Sequence, residues 1–101
     1  MTYGLTDAAN QDVRDIVQYI RSVQQSPQNA KLVARRLKAQ FAKLAKMPKL
    51  GHRRDELRDP SALVIAVSGL LVIYDPTLRP LTILRVIHAS RDLQRIKPRP
   101  E

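Results

Sequence analysis

A histidine and an arginine three positions apart, His88 and Arg91, close an apolar run that begins at Leu81. An imidazole titrates near neutral pH and could take a proton as a general base, with the guanidinium beside it to hold charge. The simpler reading is a strand-end histidine hydrogen-bonded to its neighbours, because no set of catalytic partners is visible around it. Arg91-Asp92 reads as a local ion pair or as the cap of a last helical turn. Arg85, alone among apolar neighbours, is either paired with Glu56 or Asp92 or exposed toward a partner. Arg53, Arg54 and Arg58 form a second basic group, a solvated edge in the plain reading and a contact for an acidic or nucleic-acid target in the other. His52 and His88 are the two histidines and there is no cysteine. A His or thiolate metal site therefore has no basis, and no cofactor is expected. The sequence contains neither a Gly-rich phosphate loop nor a nucleophile elbow.

These groups must be held by something. Residues 81–88 are β-branched and apolar, as in a buried strand. Simple alternation puts Ile83, Arg85 and Ile87 on one face and Leu84, Val86 and His88 on the other. Before it, 62–67 and 70–74 read as two strands joined at Ser68-Gly69, a tight hairpin signal. Residues 53–58 read as a short charged edge strand with Leu57 pointing inward. Tyr3-Gly4-Leu5 is a further edge-strand candidate.

Thr6 is a helix N-cap, and Ala9, Val13, Ile16, Val17, Ile20 and Val23 recur at helical spacing to about Gln24. Ser26-Pro27 starts a second helix, whose apolar face runs through Ala30, Val33, Ala34, Leu37, Phe41, Leu44 and Ala45 until Pro48 ends it. Leu37, Phe41 and Leu44 read as core, and Tyr74 as a strand-end residue hydrogen-bonded at the rim. The short link makes the helices an antiparallel hairpin. Helices grouped on one side of a sheet make the fold α+β, in two layers. The expectation is an N-terminal strand and helical hairpin on a sheet of 3–4 mainly antiparallel strands, with the other sheet face uncovered. A short amphipathic helical segment follows Arg91. Residues 1–97 form a single domain, and 98–101 fray.

At 101 residues with net charge +9, one modest core is expected and an anionic partner is favoured. Residues 1–30 hold two bases against three acids, whereas 31–101 hold sixteen bases against six acids. The basic face of the second helix is either solvated or a partner surface. No apolar run reaches the roughly 18–20 residues of a membrane helix. The acidic start does not read as a signal peptide, and a reducing cytoplasm suits the lack of cysteine.

In order and spacing, these pieces resemble the ParE/RelE superfamily of toxins from type II toxin–antitoxin pairs. They are Tyr3-Gly4-Leu5-Thr6, Asp15-Ile16 with Tyr19-Ile20, Leu44-Ala45 with Pro48 and Gly51, Arg54 with Glu56-Leu57-Arg58, Leu71-Val72-Ile73-Tyr74, Ile83 to His88, and Arg91-Asp92-Leu93. RelE-like members resemble ribonucleases that cut messenger RNA on the ribosome, using sheet arginines and a C-terminal Tyr or His. ParE-like members inhibit DNA gyrase. This chain departs from the ribonuclease pattern at Ser68-Gly69-Leu70-Leu71, at Ala89-Ser90, and in having no Tyr or His after position 90. Losing one charge-stabilising donor typically costs about 10²–10³ in rate, so several losses argue against a nuclease. His88 to Leu93 is similar to the ParE-like His-Gly-x-Arg-Asp-Leu, with Ala89 in place of Gly, which implies no need for positive φ there.

The resemblance implies a non-enzymatic toxin that inhibits gyrase. Arg53, Arg54, Arg58, Arg85, His88 and Arg91 are then its target-contact candidates. It also implies a ParD-like antitoxin with an acidic, amphipathic C-terminal segment. Leu32, Leu37, Phe41, Arg35 and Lys38 are its contact candidates, in a groove extended by Val23 and Ala39. DNA is reached only through that antitoxin. The rival readings are a RelE-like ribosome-dependent endoribonuclease, an inactive member that only binds antitoxin, and plain nucleic-acid binding.

Overall fold

The computed structural model describes residues 2–99. Among them, the chain runs β1 (Tyr3–Leu5), α1 (Asp7–Ser22), α2 (Pro27–Lys46), β2 (Leu63–Val67), β3 (Leu70–Asp75) and β4 (Leu81–His88). One-turn 3-10 helices lie at Asp55–Leu57 and Leu93–Arg95. The helix starts follow their caps. Thr6 Oγ1 accepts from Ala9 N at 3.0 Å, and Ser26 Oγ accepts from Asn29 N at 3.3 Å ahead of Pro27.

The sheet order is β1-β4-β3-β2, with β1 parallel to β4 and the other two pairings antiparallel. This is the expected α+β arrangement. Ser68 and Gly69, at φ 52° and 76°, turn β2 into β3. Two successive positive φ values match the right-handed twist of the strands they join. β3 is central, and every one of its residues is buried.

β4 departs from simple alternation. Tyr74 pairs with Ile83 but Ile73 pairs with Arg85, so Leu84 is an extra residue in a bulge. Past it the faces swap. Ile83 and Val86 join the core beneath the helices, while Leu84 and Ile87 join a second cluster on the opposite face. The expected grouping of Leu84 with Val86 is therefore corrected.

The opposite face is not uncovered either. Leu57, Ala62, Leu93 and Ile96 pack there against Val64, Leu71 and Ile73. Nor do residues 53–58 form a strand. His52 makes a single bridge to Val64, after which the chain turns into the Asp55–Leu57 helix and leaves through Arg58 at φ 55°. That fold-back is what carries Leu57 onto the second face.

Tyr74 is fully buried rather than at a rim. Its hydroxyl accepts from Gly51 N at 2.7 Å and donates to Pro48 O at 2.9 Å. A Cβ at Gly51 would lie 2.7 Å from that oxygen, so glycine is required by the close approach. Burial raises the hydroxyl's pKa above its ordinary value, against the lowering effect of the Gly51 N–H. The C-terminal segment differs from the expected fraying at Arg99. Arg99 Nε donates to Asp59 Oδ2 at 2.7 Å, and Nη2 donates to buried Asp75. Pro100 and Glu101, also expected to fray, lie outside the described residues.

Candidate functional site

β1 pairs with β4 only along Leu81 to Ile83, so the rest of that β4 edge needs other partners. The start of α1 supplies them. Thr6 N donates to Ile83 O at 3.0 Å, and Thr6 Oγ1 donates to Leu84 O at 2.8 Å. Asp12, one helical face further on, accepts from Val86 N at 3.0 Å. The same carboxylate takes both Arg85 Nε at 2.7 Å and Arg85 Nη2 at 3.0 Å. Arg85 is thus paired, but with Asp12 and not with Glu56 or Asp92. Hydrogen bonding to Asp12 raises its pKa above the usual arginine range, against the opposing effect of burial. The bulge at Leu84 permits this geometry.

Beyond Arg85, β4 ends at exposed His88. Ala89 N donates to Gly69 O at 3.0 Å and Arg91 N donates to His88 O at 3.0 Å, which fixes the turn. Ala89 is not among the residues at positive φ, as the replacement of glycine implied. An open cleft of about 250 Å³ lies here between α1 and β4, lined by Asp12, Asp15, Tyr19, Arg85, His88 and Arg91. A second, of about 340 Å³, continues over the helical hairpin past Leu32 and Arg36 to Ser68. His88 and Tyr19 line both, and Tyr19 is 50 % exposed.

The fold therefore gathers Arg85, His88 and Arg91 and leaves the other three target candidates elsewhere. Arg53, Arg54 and Arg58 follow the His52 bridge on the outer side of β2. Arg54 Nη2 meets Glu56 at 3.0 Å, both exposed. Glu56 is held below its ordinary pKa by a backbone hydrogen bond and by Arg54.

Of the residues suggested for antitoxin contact, Leu37 and Phe41 are corrected. At 1 % and 3 % exposure they belong to the core, where Phe41 tilts against Tyr3. Leu32 lines the hairpin cleft, and Arg35 and Lys38 are exposed. Val23 is 64 % exposed and Ala39 is exposed. A larger opening of about 750 Å³, lined by Met47, Leu50, Pro76 and Arg79, lies away from His88 at the other end of α2.

Two partners escaped sequence reasoning. Asp12 lies off the apolar stripe of α1, and its role is visible only where α1 lies beside the β4 edge. Asp75 follows the 70–74 run directly, and that position after Tyr74 was the available signal. Among the described residues, no group of three His, Cys, Asp or Glu side chains is placed to hold a metal, and no helix is long and apolar enough to cross a membrane.

The side chains of Tyr19, Arg85, His88 and Arg91 share one surface between α1 and the end of β4. It offers a cleft with one exposed imidazole, one exposed guanidinium and an exposed tyrosine, backed by an arginine already neutralised. Compared with known proteins, no curated sequence matches the chain. A family model described as the ParE toxin of type II toxin–antitoxin systems, parDE, matches residues 3–93.

Proposed function

The chain belongs to the ParE toxin family of type II toxin–antitoxin systems, and on that premise we propose that it acts in the cytoplasm as a non-enzymatic inhibitor of DNA gyrase. The fate of Arg85 carries the preference for binding over bond breaking. A guanidinium gripped at two points by Asp12 has little capacity left for a developing phosphate charge. The cleft of His88, Arg91 and Tyr19 is the contact surface in this reading. Such a toxin has an antitoxin partner, and here we assign it a ParD-like form with an acidic segment. The sixteen bases against six acids of residues 31–101 support that charge match.

A supercoiling assay tests the reading. The purified chain should block gyrase, and H88A/R91A should weaken the block by tenfold or more with no change in thermal midpoint. Undiminished supercoiling at excess toxin refutes gyrase as the target. Messenger RNA cut in a translating extract, and spared by H88A or R91A, would replace inhibition with ribonuclease action.

A further inference from the structure

α2 carries Lys31, Arg35, Arg36, Lys38, Lys43 and Lys46 and not one acidic residue. All six are exposed. Among the described residues, none of them lies within ion-pair distance of a carboxylate. Asp12 is engaged by Arg85, Glu56 by Arg54, Asp92 by Arg95, and Asp59 and Asp75 by Arg99. One of the six has a side-chain partner, Arg36, whose Nη1 donates to Ser68 Oγ at 3.3 Å.

The placement is regular. At about 100° per residue, Lys31, Arg35, Lys38 and Lys46 fall within an arc of roughly 80°. Arg36 and Lys43 make a second row roughly 100° further round. From Lys31 to Lys46 the first row is about 22 Å long. The exposed Ala39 and Ala42 lie among these cations and are too small to hold a partner away.

We propose that this face of α2 docks directly on the phosphate backbone of duplex DNA. A folded protein partner is held mainly by a few side chains, Trp, Tyr and Arg foremost, seated in desolvated pockets at the centre of its contact, and the cations of this face stand exposed rather than in such pockets. The exposed large hydrophobics, Tyr19, Val23, Met47 and Leu78, all lie outside α2. Single strands are held by stacking on aromatic rings, and the exposed face of α2 has none. A duplex backbone asks only for spaced cations. The roughly 12 Å major groove of B-form DNA admits a helix, so the two rows would reach the phosphates on either side. The deep, narrow groove of duplex RNA would not admit it. This departs from the expectation that DNA is reached only through the antitoxin. It does not depend on gyrase being the target.

The test uses the purified chain, without gyrase or antitoxin, and a fluorescein-labelled duplex of about 20 bp and arbitrary sequence, followed by anisotropy from roughly 50 to 200 mM NaCl. Binding should weaken with a log–log salt slope of about −4 or steeper. K31Q/R35Q/K38Q/K46Q should lose at least tenfold in affinity and bring the slope about 3–4 nearer zero. R14Q/R21Q/R79Q/R95Q, which removes as many charges elsewhere, should stay within about threefold of the parent. Glutamine keeps helix propensity, and circular dichroism checks the fold. Should the quadruple variant unfold, K31Q/R35Q and K38Q/K46Q should each show part of the loss. No binding at low salt, or equal losses from both quadruple variants, overturns the proposal. So does equal affinity for duplex RNA, or displacement of the DNA by polyglutamate at lower concentration than by unlabelled duplex.

Discussion

Asp12 shows how much one side chain can carry. It is 15 % exposed, satisfies a strand amide that no neighbouring strand reaches, and neutralises an arginine that is 25 % exposed. Replacing it by alanine leaves both donors unpaired in a half-buried place. The expected cost of Asp12→Ala is about 1.5–3 kcal/mol, because hydrogen bonds to charged groups lie in that range. Removing both partners should be milder, since an apolar replacement leaves no stranded charge. D12A/R85L should therefore recover part of the loss, read from urea midpoints. A double variant no more stable than Asp12→Ala would show that Arg85 does not depend on Asp12.

At the scale of elements, the joint between α1 and β4 rests on Thr6. Its hydroxyl caps the helix at Ala9 N and also donates to Leu84 O. Thr6→Ala removes both at once and should cost about 1–2 kcal/mol, the upper part of the range for a lost cap. For a domain of this size that is a fall of roughly 4–8 °C in thermal midpoint per kcal/mol. Thr6→Ser keeps the hydroxyl and should stay close to the parent. α2 shows the opposite balance. Its like charges at Lys31 and Arg35 oppose one another by roughly 0.2–0.5 kcal/mol, a small cost that core burial of Leu37, Phe41 and Leu44 outweighs.

For the whole molecule, Arg99 ties the end of the described chain to the turn before β2 and to the end of β3. The Arg99 hydrogen bond is the main cause that holds Asp59 below its ordinary value of 3.8. Burial pushes Asp75 up, but hydrogen bonds from Thr77 and Arg99 outweigh it, so it too lies below 3.8. A carboxylate with a depressed folded pKa stabilises the fold above its unfolded value, and that share vanishes as pH falls through the lower folded value. The parent should therefore exceed Arg99→Gln in stability near neutral pH, and the gap should shrink as pH falls past the ordinary carboxyl value of 3.8 and on through the lower folded values of Asp59 and Asp75. Arg99 is 36 % exposed, so added salt should narrow the gap at neutral pH. A gap constant from pH 7 to 3 would show that these ion pairs do not link the termini of the sheet.

Much of this was legible along the chain. Helical periodicity, Ser26-Pro27, Ser68-Gly69 and the capping Thr6 act over a few residues, so local chemistry alone sets them. The ordered pieces from Tyr3 to Leu93 likewise carried the family. What the chain could not reveal depends on neighbours distant in sequence. The bulge at Leu84 is a mismatch between two strands, and it decided which side chains of β4 face the helices. Asp12 and Arg85 are 73 residues apart, and Arg99 and Asp59 are 40 apart. Whether such charges meet depends on where the packed layers bring them, because a side chain's partners are chosen by proximity in space.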